Sequence, residues 1–233
     1  MTLESDNRYF IDEFVAKRLN LPIWGVASIK SFAETIGDEI SDIVEHFSTA
    51  IVLGHPLSAS VLETIIDKPN LLYKHHYQKV NWRLDNAALE LATEIQDLGY
   101  LSLPIPASLV TDWEYQRGHL SHRHAAVAAG LGWIGRNGLV VTPRYGSQVR
   151  WVTILTDMKI AEDTPVDMGC GTCTKCTEAC PSKAITSQGC DVIKCYEQLR
   201  EFAKIQGVGQ YVCGLCIKVC SGQISKSKLK IQS

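Results

Sequence analysis

All nine cysteines of this 233-residue chain lie between Cys170 and Cys220, and the residues before them hold none. A hydrophobic core alone does not segregate thiols in this way. The N-terminus, MTLESDNRYF, is polar and acidic, with neither a basic n-region nor an apolar h-region, so the expected compartment is the cytoplasm. Thiols stay reduced there, and a cysteine cluster then points to metal or redox chemistry rather than disulfides. The shift in composition also sets an expected domain boundary just after the loop-like stretch AEDTP. A first domain over 1–165, a cysteine domain over 166–222 and a tail over 223–233 follow. In the tail Lys226, Lys228 and Lys230 alternate with other residues, which reads as a solvated terminus.

Spacing narrows the chemistry. The run CGTCTKCTEACP sets Cys170, Cys173, Cys176 and Cys180 at C-x2-C-x2-C-x3-C-P, the spacing of bacterial ferredoxins. Two-residue gaps let a tight loop wrap one cubane with three thiolates. The three-residue gap throws the fourth thiolate onto a second cluster, and Pro181 fixes the chain as it leaves. A partial copy, VCGLCIKVCS, places Cys213, Cys216 and Cys220 at C-x2-C-x3-C, with Cys195 upstream. Pseudo-two-fold logic assigns Cys170, Cys173, Cys176 and Cys220 to one [4Fe–4S] cluster, and Cys180, Cys195, Cys213 and Cys216 to another. Cys190 is left over, as a substitute for Cys195 or a spare thiol. The competing readings are a single cluster or zinc, but zinc takes spaced pairs of ligands and has no use for a third cysteine or a trailing Cys-Pro.

The cysteine-free part has the makings of a folded domain. Apolar Ile11, Val15 and Leu19 recur at helical spacing over 6–19, and IWGVASI (23–29) reads as a strand. Residues 38–47 read as helical and AIVLG (50–54) as a buried strand. Leu84, Ala88, Leu91, Ile95 and Leu98 form an apolar stripe on a helix over 72–98, which Gly99 would stop. An alanine-rich helix over 121–129 precedes strands at 139–143 and 149–155, joined through a turn at Tyr145-Gly146. Alternating helices and strands give an α/β or α+β class. No run of about eighteen apolar residues occurs, so no membrane span is expected. The formal net charge of −2 offers no basic footprint for nucleic acid.

GLGWIG (130–135) matches G-x-G-x-x-G in letters only. A dinucleotide site needs a strand before the glycines and a helix after them, and here that order is reversed. The glycines permit either close approach by a flat group or a helix cap with a packed turn. His119, His122 and His124 are spaced for a helix start rather than a metal face. His75 and His76 stand before Tyr77 on the long helix. Asp112 and Glu114 fall in a loop, where solvated roles are expected.

Together these segments resemble the epoxyqueuosine reductases, iron–sulfur and cobalamin-dependent enzymes of tRNA modification related to reductive dehalogenases. The resemblance covers roughly residues 8–222 and is strongest over GHLSHRHAAVAAGLGWIGRNGLVVTPRYGSQVRWVTILTD (118–157). There the glycines, the Arg-Asn-Gly step, the Thr-Pro turn and the Tyr-Gly-Ser turn fall in the family's order. Cys195 in KCYEQL stands where the family has a lone cluster ligand, and the segment around Tyr77 is similar to its substrate-side Tyr-His segment. The resemblance implies an N-terminal nitroreductase-like, corrinoid-binding domain followed by a bacterial two-cluster ferredoxin-like domain. It also implies electron flow through both clusters to cobalamin from an external low-potential donor of ferredoxin or flavodoxin type. Gly130, Gly132, Gly135, Arg136, Asn137 and Gly138 would then approach the corrin.

Three departures qualify what the resemblance implies. Gln116 occupies the position of the family's acid, and an amide is no general acid; His119, Asp112 and Glu114 are the candidates to replace it, and Tyr77 is a catalytic candidate on the substrate side. Cys220 is followed by Ser221 rather than proline. The chain ends 13 residues after Cys220, where many relatives continue into a helical tRNA-binding extension. Three functions follow as expectations: a cobalamin-dependent reductase of a small-molecule or protein substrate, an activator that reduces a partner such as a corrinoid protein, and reduction of epoxyqueuosine in tRNA.

Overall fold

The structure, a computed structural model, describes residues 2–112 and 116–222. Glu114 and the basic tail lie outside the described residues. In chain order the helices are α1 Leu3–Phe14, α2 Ser41–Val44, α3 Ala59–Glu63, α4 Leu71–Asp97, α5 His122–Ala128, α6 Lys175–Ala179, α7 Val192–Ala203 and α8 Leu215–Val219. The strands are β1 Ile23–Ser28, β2 Thr49–Pro56, β3 Ser102–Ile105, β4 Trp133–Ile134, β5 Val140–Val141, β6 Val149–Thr156, β7 Ile185–Thr186 and β8 Gly189–Cys190. Among the described residues no helix is long and apolar enough to cross a membrane.

The chain divides into two compact units, but not at a single point. The first takes the chain up to His55, Lys79–Leu131 and Arg150–Asp167; the second takes Pro56–Gln78, Gly132–Val149 and the chain from Met168 onward. The last crossing, between Asp167 and Met168, falls where composition changes. The two earlier segments that join the cysteine unit differ from the expected contiguous 1–165 domain. The reason is coverage: a short stretch of loops and small helices buries too little apolar surface by itself. The added segments contribute buried Leu57, Leu62, Ile65, Tyr73, Val140 and Val141.

In the first unit, α1 is started by the Thr2 hydroxyl, which accepts from the Ser5 amide, with Glu4 and Asp6 in the first turn. It runs into a π-helical turn, Val15–Leu19, that ends at Asn20 in the left-handed region. Ile11, Val15 and Leu19 are fully buried, as their spacing predicts. The sheet has the order β1-β2-β6-β3. β1 and β2 are antiparallel, Ile23 opposite Gly54 and Ser28 opposite Thr49; β3 and β6 are antiparallel, Ser102 opposite Thr156. The inner strands are buried almost throughout, which is why their sequences read as continuous apolar runs. β3, in SLPI, has no counterpart in the sequence reading. Its Pro104 argues against a strand, but β3 lies at the sheet edge, where a missing N–H is tolerated.

α4 begins in the second unit and belongs to the first from Lys79 onward. Leu84, Ala88, Leu91 and Ile95 are buried, whereas Leu98, expected to extend their stripe, is exposed. Gly99, at φ +90, closes the helix with paired bonds: its own amide to Gln96 and that of Tyr100 to Ile95. The region 38–47 is less regular than expected, a 3-10 turn at Asp38–Ile40 leading into α2. α5 lies close on β1: a Cβ on Gly25 would stand 2.6 Å from the Ala129 carbonyl oxygen. The alanines are thus a packing requirement.

His122 is enclosed in this unit although its residue reaches the surface. Its Nε2–H donates to the Pro106 carbonyl (2.9 Å), so Nδ1 accepts from the Thr153 hydroxyl (2.8 Å). Burial, with a smaller contribution from Arg150, holds the ring's pKa down to about 4. The neutral ring is therefore favoured by folding. Its stability contribution is complete above the unfolded value of about 6.5, declines as pH falls from there to about 4, and is lost below. Urea titrations between pH 7 and pH 4 are expected to show a loss of about 3 kcal/mol through this group. His122→Gln should be less stable at pH 7 but show a shallower decline.

Candidate metal centre

The second unit builds its thiol sites from two short helices of like design. α6 carries Cys176, and Cys180 stands at its C-cap; α8 carries Cys216, and Cys220 stands at its C-cap. The two helices pack on one another. Ahead of α6 the loop turns tightly, the Cys173 amide donating to the Cys170 carbonyl (3.1 Å), with Gly171 at φ +54. Ahead of α8, Gly214 is at φ +85, and a Cβ there would stand 2.6 Å from Ile65 and 2.8 Å from Tyr73. The segment before the cysteine stretch thus packs directly against the residue after Cys213.

Cys195 sits one turn into α7. Asp191 caps that helix, accepting from the Lys194 amide (3.0 Å). Cys190, the last residue of the β7–β8 hairpin, immediately precedes the cap. Residues at these two positions commonly pack together at helix starts. Here the Cys190 and Cys195 side chains are hydrogen-bonded, which draws the Cys195 thiol pKa down against burial and the nearby Cys216, Cys213 and Cys180.

Electrostatic neighbourhoods sort the other thiols. Burial raises the Cys176 pKa, and Cys220, Cys170 and Cys173 raise it further. Burial pushes Cys213 up to about 11, with Cys180 adding to it and the Leu215 amide opposing. Cys216 is pushed up further by burial, and Cys213, Cys176, Cys190 and Cys180 all contribute. Cys176 and Cys180 are core residues of this unit, with Cys190, Cys195 and Cys216 packed against them. Among the described residues no three His, Cys, Asp or Glu side chains converge as ligands of a single ion. The donor set is all thiol, which is what iron–sulfur clusters take.

The glycine-rich segment has local work. Gly130, at φ +69, ends α5 with the bonds Gly130 to Val127 and Leu131 to Ala126, both 3.0 Å. After it, β4 pairs with β5, Trp133 opposite Val141. A Cβ on Gly132 would meet the Val141 carbonyl oxygen at 2.2 Å, and one on Gly135 the Val141 side chain at 2.5 Å. Protein atoms therefore fill the space these glycines leave. Gly138, at φ +71, closes the turn onto Gly135 (2.9 Å). The buried Asn137 side chain donates to the Ser147 hydroxyl (3.0 Å) and accepts from the Leu139 amide (3.2 Å). Arg136 donates to the carbonyls of Gly171 (2.8 Å) and Cys173.

The catalytic candidates fall in both units. Tyr77 lies on α4 within the second unit, its ring 6.3 Å from that of Tyr73. Asp112 and Arg117, in the first, exchange backbone hydrogen bonds (3.1 and 3.0 Å) around a loop in which Gln116 takes φ +55. His119 follows, its buried Nδ1 3.0 Å from a Glu39 carboxylate oxygen but outside hydrogen-bonding geometry. The sequence reading missed Gln148, which is buried and donates to the carbonyls of Ile217 and Lys218 (3.2 and 3.0 Å). It also missed Lys218, whose ammonium reaches the Glu63 and Ile65 carbonyls. Neither carries a motif signal.

No protein-family model matches the chain. The chain is similar to an epoxyqueuosine reductase of Lactococcus garvieae, 40% identical over 107 residues, which are 41% of this chain and 30% of that protein. The match thus spans less than a third of that relative's length. The solved epoxyqueuosine reductase of Streptococcus thermophilus superposes with a TM-score of 0.65 at 21% identity, over 94% of this chain and 68% of the other. A reductive dehalogenase, described with a mechanism for B12-dependent dehalogenation, gives 0.68 at 20% identity over 86% and 29%. The mixed α/β fold is thus shared with both groups, and the sequence likeness is to an epoxyqueuosine reductase-like family related to the dehalogenases.

Because only the thiolate is alkylated, half-buried Cys213 and Cys216, whose pKa values burial raises, should react with iodoacetamide at pH 7.5 at least ~10-fold more slowly than exposed Cys173 in the metal-free protein. Peptide mass spectrometry reads the order; equal rates would show that burial does not control these thiols.

Proposed function

We propose that this chain is an iron–sulfur oxidoreductase similar to the epoxyqueuosine reductases. It carries two [4Fe–4S] clusters and passes electrons from an external ferredoxin- or flavodoxin-type donor to cobalamin, for reduction of a small-molecule or protein substrate. The observation that carries this reading is the sorting of thiols. Cys176 has Cys170, Cys173 and Cys220 as neighbours, while Cys195 has Cys190, Cys180, Cys213 and Cys216; Cys216 also neighbours Cys176, where the two sets meet. Each set combines residues from both ends of the cysteine stretch, as an interlocked two-cluster domain requires. Cys170, Cys173, Cys176 and Cys220 would hold the first cluster; Cys180, Cys195, Cys213 and Cys216 the second.

When bound, the clusters supply one-electron transfer at a potential set by burial and hydrogen bonding. The chain's own part is to exclude water around buried Cys176 and Cys180 and to release thiol protons on ligation. Cobalamin enters from the relatives. Gly130, Gly132 and Gly135 are packed against the chain itself and offer no open cradle, so no step is assigned to them. For the proton a reduction consumes, His119 is the first choice, with its buried ring nitrogen beside Glu39, and Asp112 the second. Tyr77 is proposed on the substrate side. A second reading, reduction of epoxyqueuosine in tRNA, is favoured by the Lactococcus garvieae relative, whereas the net charge of −2 favours the first.

Anaerobic reconstitution tests the reading. About eight irons per chain, stoichiometric cobalamin binding and cluster-dependent reduction of cobalt are expected. Lack of cobalamin binding by the cluster-loaded protein would sink it. Restored queuosine in a strain lacking the tRNA enzyme would decide for the second reading. Cys180→Ala and Cys220→Ala should each lower the iron content to about four per chain, through loss of different clusters.

A further inference from the structure

We infer that the segment Gly132–Val149, outside the cysteine stretch, clamps the first cluster's divided ligand set, with Arg136 as the positioning residue that also sets that cluster's reduction potential. The inference rests on the two-cluster reading. The first cluster's ligands come from two places, the loop from Cys170 to Cys176 and Cys220 at the end of α8. The loop is thinly supported: a Cβ on Gly169 or Gly171 would meet nothing within 4 Å, and Cys173 is exposed. Arg136 forks across it, one guanidinium nitrogen on the Gly171 carbonyl (2.8 Å) and another on that of Cys173. Those carbonyls belong to residues within the first C-x2-C step.

The fork is delivered by a braced turn. Gly138 bonds to Gly135 (2.9 Å), Gly135 to Leu139 (2.8 Å), and the buried Asn137 side chain ties the turn to Ser147. The far end of the segment grips the other ligand. The Ser147 amide donates to the Cys220 carbonyl (3.1 Å), and a Cβ on Gly146 would stand 2.1 Å from that oxygen. The Gln148 side chain donates to the carbonyls of Ile217 and Lys218 at the end of α8, the first of which also accepts from the Cys220 amide (3.1 Å). One segment, the β4–β5 hairpin and the residues that follow it, therefore touches both halves of the ligand set. A guanidinium is charged at every accessible pH. Placed beside the loop, it favours the more negative, reduced state of a cluster held there.

Two properties of Arg136 can be separated, its fork and its charge. In the reconstituted protein, Arg136→Gln should shift the midpoint potential of the first cluster to a more negative value, measured by EPR-monitored redox titration. It should also speed iron loss to a chelator by at least about tenfold, because two charge-assisted hydrogen bonds to the ligand loop are lost. Arg136→Lys should keep the potential near that of the wild type but lose iron faster. Gln148→Leu, at the other end, should speed iron loss from the same cluster. Cys220→Ala, which removes a first-cluster ligand, identifies its signal. With both clusters loaded, unchanged potentials and unchanged iron release in Arg136→Gln overturn the inference alone, as does an equal shift of both clusters. A wild-type chain that takes up no cluster overturns the two-cluster reading and the clamp with it.

Discussion

Thiols gathered and partly buried side by side can be neutral, or they can be bound to metal, but they cannot all be ionised. Burial and mutual repulsion push Cys176, Cys213 and Cys216 upward together. This constraint shapes the second unit. Its helices α6 and α8 are short, each puts one cysteine on the helix and one at its end, and the packing between them brings the two ends of the cysteine stretch together. A stretch with so many loops buries little of its own surface. It is completed by Pro56–Gln78 and Gly132–Val149, which supply aliphatic cover, a tyrosine against Gly214, and side chains that occupy helix-end carbonyls.

The first unit obeys a different constraint. Its two inner strands are buried on both faces, so polarity is confined to places where it is satisfied. His122 is an example: both ring nitrogens are bonded, and burial keeps the ring neutral. Gln116 holds a backbone conformation uncommon for a residue with a side chain. Its amide removes the acid that the resemblance leads one to expect there, which makes His119 and Asp112 the residues on which the proton question turns.

Much of the fold was legible because periodicity reports burial directly. The stripe on α4, its glycine stop and the buried runs of β2 and β6 all follow from spacing, and all are local properties. Where local rules conflicted with position in the sheet, reading failed: Pro104 hid β3, whose edge position makes proline harmless. Leu98 continues the periodicity of the α4 stripe, but the burial ends one turn earlier, at Ile95. The glycines at 130–138 admit two readings in sequence, a cap with a packed turn or close approach by a flat group, and nothing local shows that the missing side chains of Gly132 and Gly135 make room for Val141.

By itself the sequence determined where the thiols lie along the chain and how they are spaced. Nine thiols at those spacings admit few metal groups, and spacing along a loop is a local fact. Only the tertiary structure decided which thiols are neighbours and what holds them. Cys220 meets Cys176 because α6 packs on α8. The Cys170–Cys173 loop is tied by Arg136, a residue from a hairpin more than thirty positions upstream. Such contacts join residues distant along the chain, and no short-range pattern encodes them.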